Sequence, residues 1–152
     1  MFLYTEIRNE LGVNDMLIDI KDRIDEIAIK ELIAYSVFPD PDSLEKTVNE
    51  YKTNDNLELF GLEENHEVIG VVGIKQDNKT IEIRHIVVHP QFRGIGYGRG
   101  QLLELIEMKR PEEIFAETDG IAVEFYRNVG FSINSLGEKY PGVERFKCVY
   151  WT

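Results

Sequence analysis

The apolar positions change period along the chain, and those changes divide it into elements. Met1 to Ile7 reads as a short opening strand. From Leu17 to Phe38, apolar residues fall at Ile20, Ile24, Ile27, Ala28, Leu32 and Tyr35. That spacing marks one face of a helix, which Pro39-Asp-Pro-Asp42 stops. Asp42-Ser-Leu-Glu45 has the form of a capping box and opens a second helix through Val48 and Tyr51. The period then falls to two. Asn56 to Leu62, Glu67 to Lys75 and Thr80 to Val88 read as three strands of a meander, turning at Glu63 to His66 and Gln76 to Lys79. The third strand contains a phase break. Its apolar positions are Ile81 and Ile83, then Ile86 and Val88, so the alternation slips by one across Arg84-His85 and predicts a bulge there.

Beyond that strand, Pro90 to Gly100 is a glycine-rich loop, and Gln101 to Lys109 is a helix ended by Pro111. Ile114 to Thr118 is a strand, and Ile121 to Asn128 a helix with Gly130 as its C-terminal stop. Phe131 to Leu136 and Arg145 to Tyr150 are the last strands, joined by a loop containing Lys139-Tyr-Pro-Gly142. With no repeat, low-complexity tract or linker, one mixed α/β domain is expected over residues 1–152.

Composition narrows the partners. The net charge of −11 sets a field that repels a phosphate backbone, so nucleic acid is not an expected partner, whereas a cationic acceptor is favoured. Cys148 is the single cysteine; it has no intrachain disulfide partner and is expected in the core. His85 and His89 are four apart, but on strand and loop, and no further ligand completes a metal set, so no metal is expected. No apolar stretch approaches the roughly 20 residues that span a bilayer. The N-terminal apolar run is too short for a signal peptide, so no membrane is expected and a cytoplasmic location is.

The chemistry concentrates after the third meander strand. Glycines at 94, 96, 98 and 100 let backbone N–H groups converge, and the following helix points its positive end at the same place. This is an anion cradle suited to a pyrophosphate. A dinucleotide fingerprint starting at Gly94 would need glycine at 99, and one starting at Gly96 would need it at 101, where the chain has Arg99 and Gln101. A P-loop from Gly94 would need Gly-Lys where Arg99-Gly100 stands.

Arg93-Gly-Ile-Gly96-Tyr-Gly98, preceded by Val88-His-Pro, resembles the pyrophosphate motif of the GNAT N-acetyltransferase superfamily. Gln91-x-x-Gly94-x-Gly96 fits the same motif in a second register. Val123-Glu-Phe-Tyr126-Arg-Asn-Val-Gly130-Phe131 resembles that family's Phe-Tyr-x-x-x-Gly-Phe signature, and the order of elements is similar from end to end. The resemblance implies an α/β fold with a mixed, mostly antiparallel central sheet, helices on both faces and a splayed central strand pair. It implies acetyl-CoA as cosubstrate, with the backbone of Ile86, Val87 and Val88 pairing the pantetheine arm. The phosphates would sit on Arg93, Gly94, Ile95, Gly96, Tyr97, Gly98 and Arg99. Asp119 stands where the family often has asparagine at a cofactor contact.

Acetyl transfer to an amine needs a proton acceptor for the ammonium and a donor for the leaving thiolate. Glu82, eleven residues before Arg93, resembles the family's catalytic glutamate and is the base candidate, with Glu117 and Asp119 as alternatives. Tyr126 matches the family's tyrosine and is the acid candidate. The expected activity is N-acetylation of a primary amine, on a small molecule or a peptide, by direct attack. A homodimer is left open. The competing readings are a non-catalytic acyl-CoA-binding regulatory module on the same fold and a partner-binding scaffold with an unused cleft. The loops Phe38 to Asp42 and Glu138 to Gly142 lie where the family commonly shapes its acceptor site.

Overall fold

The computed structural model describes residues 17–152; the strand expected over Met1 to Ile7 lies outside them. The strands are β1 (Leu17–Asp19), β2 (Leu57–Glu64), β3 (Glu67–Asp77), β4 (Thr80–Val88), β5 (Glu113–Asp119), β6 (Ser132–Tyr140) and β7 (Val143–Trp151). The α-helices are α1 (Ile27–Ala34), α2 (Pro41–Thr53), α3 (Tyr97–Lys109) and α4 (Val123–Val129). The strands form one sheet in the order β1-β2-β3-β4-β5-β7-β6, and among the described residues only the β4–β5 pair is parallel.

The alternation read along the strands separates two cores. Val72, Ile74, Ile81, Ile83 and Ile114 face one side, where Leu102 and Leu105 of α3 and Val123 and Tyr126 of α4 cover them. Leu57, Leu59, Val71 and Val87 face the other, under Ile29, Leu32 and Ile33 of α1 and Val48 and Tyr51 of α2. Helices therefore cover both faces. Each fully buried leucine, such as Leu102 or Leu105, contributes about 1.5–3 kcal/mol relative to exposure.

The first helix is shorter than its periodicity predicts. Leu17–Asp19 pairs with β2, Leu17 opposite Leu62, and Lys21–Arg23 forms a 3₁₀ turn. Ile20 and Ile24 are buried as a helix face would require, but a strand end and a tight turn deliver them. The main chain of this segment takes β2's edge, with the Ile20 N–H donating to the Leu59 carbonyl at 3.0 Å. Lys21 Nζ holds the turn by donating to the Asn54 and Leu57 carbonyls. Helix α2 is capped by Asp40 rather than Asp42. Asp40 Oδ1 accepts from the Ser43 N–H at 2.7 Å, and Pro41 takes the first helical position.

The meander turns are two-residue hairpins, Asn65-His66 and Asn78-Lys79, with positive φ at Asn65, His66 and Asn78. The bulge in β4 is present. Gly73 of β3 pairs with His85 while Ile74 pairs with Ile83, leaving Arg84 as the extra residue. Among the described residues, no helix is long and apolar enough to cross a membrane.

Candidate functional site

The bulge and the parallel pair together open the sheet. β4 and β5 pair only at Thr80–Glu113, Ile81–Ile114 and Glu82–Phe115. Above that point β5 continues along β7 and β4 along β3, so the two strands diverge as a fork. From Ile83 to Val88, the β5-facing side of β4 has no strand partner among the described residues.

A cleft of about 890 Å³ fills the fork. Its walls are β4 from Ile83 to Val88, the turn and first residues of α3, the end of β5, and α4. The glycine turn is tighter than the sequence predicts, because α3 begins at Tyr97 and takes in Gly98 and Gly100. Gly94 and Gly96 have φ of +80° and +98°, a backbone region that favours glycine. Gly98 is small for another reason. A Cβ there would lie 3.0 Å from the Phe125 ring of α4.

The first α3 bond runs from the Gly100 N–H to the Gly96 carbonyl, so the N–H groups of Gly98 and Arg99 precede the helical ladder at the cleft. Arg93 is fixed beside them. Its Nε donates to the Val88 carbonyl at 2.9 Å, and its guanidinium lies 5.3 Å from the Tyr35 ring centroid. Arg84, Arg93, Arg99 and Arg145 line the cleft against two carboxylates, Glu117 and Asp119. A chain of net charge −11 has therefore gathered cations where a polyanion would enter. The glycine turn, the helix start and these arginines fit a pyrophosphate-bearing cosubstrate.

Ile86, Val87, Val88, Arg93, Gly94, Gly96, Tyr97, Gly98, Arg99, Asp119 and Tyr126 all line the cleft. Ile95 is exposed and lies outside the lining. Asp119 does local work, its Oδ1 accepting from the N–H groups of Ile121 and Ala122 where the chain turns into α4. Tyr126 is buried to 5% exposure, and desolvation pushes its phenol well above the usual range, so it stays protonated at any working pH. Glu117 lies 3.6 Å from Lys139. Glu82 sits at the last paired position of the fork, with Arg84 3.6 Å away, and the lining begins one residue later at Ile83. Tyr35 and Ser36 line the cleft, whereas Phe38 to Asp42 and Glu138 to Gly142 do not. Cys148 is fully buried, and desolvation raises its thiol.

Sequence reasoning considered His85 only as a metal ligand. It lines the cleft at the bulge, and its Nδ1 lies 2.5 Å from the Tyr51 hydroxyl of α2. Burial, with Arg84 adding to it, pushes the imidazole down to about 4, so the ring is neutral near pH 7. The contact crosses from α2 to β4, and no local pattern announces it.

The model of the Acetyltransferase (GNAT) family matches residues 22–131. The chain belongs to that family. It is 30% identical over 100 residues to an uncharacterized N-acetyltransferase in the lysA 3′ region of Bacillus methanolicus, covering 65% of this chain and 83% of that one. Its fold is that of the IAA acetyltransferase from Bacillus cereus, with a TM-score of 0.69 and 18% identity over 91% of this chain and 98% of that one. It also matches a GNAT family acetyltransferase from Elizabethkingia anophelis with acetyl-CoA bound. That TM-score is 0.60, with 22% identity, covering 80% of this chain and 89% of the other.

Proposed function

We propose that this GNAT protein transfers the acetyl group of acetyl-CoA to a primary amine by direct attack. The observation that carries the reading is the fork. A strand edge with no strand partner, from Ile83 to Val88, runs from the bulge to a glycine turn that carries Arg93 and Arg99. An extended pantetheine arm suits that edge as an added strand suits a sheet. The N–H groups of Gly98 and Arg99, with Arg93, suit the pyrophosphate at its far end. The thioester then lies near the bulge, inside the fork.

The amine nitrogen forms its bond to the thioester carbon as the carbon–sulfur bond breaks. A CoA thiol resembles cysteine, with a pKa of about 8.5, so its thiolate leaves with help from a hydrogen-bond donor. Tyr126 supplies that donor. Its raised pKa makes complete proton transfer to sulfur uphill, so it stabilises the departing charge chiefly by donating a hydrogen bond. Glu82 lies outside the lining, and its carboxylate serves as base only through an intervening group such as water.

Calorimetry with CoA and turnover of acetyl-CoA across a panel of primary amines test the reading. Binding with turnover supports it. Binding without turnover makes the chain an acyl-CoA-binding module, and absence of binding removes the cosubstrate. Tyr126→Phe keeps the ring and its packing. It should lower kcat by roughly 10- to 1000-fold with acetyl-CoA affinity nearly unchanged. Wild-type kcat in that variant would reduce Tyr126 to a packing residue.

A further inference from the structure

Glu82 lies outside the lining, and the two carboxylates inside it are engaged, Glu117 3.6 Å from Lys139 and Asp119 accepting from the Ile121 and Ala122 N–H groups; the bulge supplies another acceptor for the amine's proton. Three residues from three elements are built around one hydrogen bond. Tyr51 of α2 is nearly fully buried and extends its hydroxyl across the sheet to His85 Nδ1, 2.5 Å away. Gly73 of β3, the register partner of His85, makes room for that hydroxyl. A Cβ at Gly73 would stand 1.7 Å from Tyr51 Oη. The bulge residue Arg84 reaches Glu50 of α2 and Glu82, each at 3.6 Å, and both Arg84 and His85 border the cleft.

We propose that His85 is a catalytic residue of the transfer: its Nε2 takes the proton the acceptor nitrogen loses as it attacks the thioester, and Tyr51 is the positioning residue that holds the ring through Nδ1. The inference rests on the acetyl-transfer reading. The hydrogen bond to Tyr51 engages Nδ1 and leaves Nε2 without a protein partner among the described residues. In the tautomer this role requires, Nδ1–H donates to Tyr51 Oη and the Nε2 lone pair is free. The nitrogen–carbon bond forms, the carbon–sulfur bond breaks, and the proton moves from nitrogen to Nε2. The imidazolium then releases the proton to water, and the CoA thiolate is protonated from solvent.

The groups around the ring fit the role. Arg84 is the neighbouring cation, held by Glu50 and Glu82; across the fork stand Glu117 and Arg145; Gly73 faces the ring from β3; Tyr35 and Ser36 border the cleft after α1. A desolvated imidazole is neutral near pH 7, and its proton affinity is then close to that of a carboxylate, the usual base for such a step.

The test begins with the wild-type chain, acetyl-CoA and four amine classes: a lysine ester, a peptide with a free N-terminus, a polyamine and an aminosugar. On whichever amine turns over, His85→Gln should lower kcat by about 100-fold or more while the acetyl-CoA Kd stays within a few-fold. In His85→Ala, added imidazole should restore turnover in proportion to its unprotonated fraction, a response that a packing role would not give. Tyr51→Phe should lower kcat by about 10-fold with acceptor KM held. If His85→Gln does not fold, Tyr51→Phe decides alone, because it removes a single hydroxyl. Wild-type turnover in His85→Gln, or loss of turnover in Glu82→Gln alone, overturns the proposal and leaves the acetyl-transfer reading standing. No wild-type turnover on any of the four amines sinks that reading, and the role of His85 with it.

Discussion

Gly73 and Gly94 show that the same residue type answers two different demands. At Gly94 the demand is the backbone: φ is +80°, and a Cβ would meet nothing within 4 Å. At Gly73 the demand is space for the Tyr51 hydroxyl. Gly73→Ala therefore forces Tyr51 out of its position, and overpacking of this kind costs about 1–3 kcal/mol. The expected result is a clearly lower melting temperature than wild type; an unchanged one would mean Tyr51 relocates freely. His85 carries a second residue-scale consequence. Its pKa is near 4 when folded and about 6.5 when unfolded. Between those values the unfolded chain binds a proton that the folded chain refuses. Stability therefore falls as pH drops from about 6.5 to about 4, by up to about 3 kcal/mol and less where solvent reaches the ring. Melting curves across that window should be steeper for wild type than for His85→Gln. Parallel curves would mean the folded imidazole titrates normally.

At the scale of elements, the sequence showed most of what positions the site. The slipped alternation at Arg84-His85 located the bulge, because one extra residue must reverse the faces of all that follow. Gly130 marked the end of α4, which it closes with φ of +110°. The misreadings came from patterns that two structures satisfy equally. Ile20 and Ile24 are four apart in a helix and also in a 3₁₀ turn that follows a strand, and burial was right while conformation was wrong. Four alternating glycines read as one loop, yet Gly98 and Gly100 lie in α3, where Gly98 is small because Phe125 packs against it. The Tyr51–His85 contact was invisible because it joins residues 34 apart through tertiary packing. The N-cap of α2 offers an element-level test, since this helix carries Tyr51. Bonds from the Ser43 backbone and side chain hold the Asp40 carboxyl below its usual range. That contribution is present above the unfolded pKa of about 3.9 and is lost as pH falls through the folded value. Asp40→Ala should lower the melting temperature at neutral pH, and the gap to wild type should close under acid conditions. A gap that persists there would assign the effect to something other than the ionised cap.

For the whole molecule, the fork divides the sheet into two parts. β1 to β4 form one part and β5, β7 and β6 the other, joined in the sheet by three residue pairs at the base of the fork. Two cores and their helices close over the joint, but the upper edges of β4 and β5 are left apart. An acetyl-CoA molecule lying along β4 would touch both parts, bonding to the edge from Ile83 to Val88 and packing against α4 through residues such as Phe125 and Tyr126. Binding of this kind acts only on the folded state and stabilises it by mass action. At a ligand concentration one hundred times Kd the gain is about 2.7 kcal/mol, or about 5–10 °C in melting temperature for a chain of this size. The location of the effect separates strand pairing from loose binding at the glycine turn. If the pantetheine pairs with β4, hydrogen exchange should slow at free-edge amides between Ile86 and Val88 as well as at Gly98 and Arg99. The β2–β3 amides, already paired within the sheet, should change little beyond the global gain. Exchange measured with and without CoA decides it. Protection confined to the glycine turn would show that the phosphates bind while the arm stays off the strand, and the fork would then lose its role as the second half of the cosubstrate site.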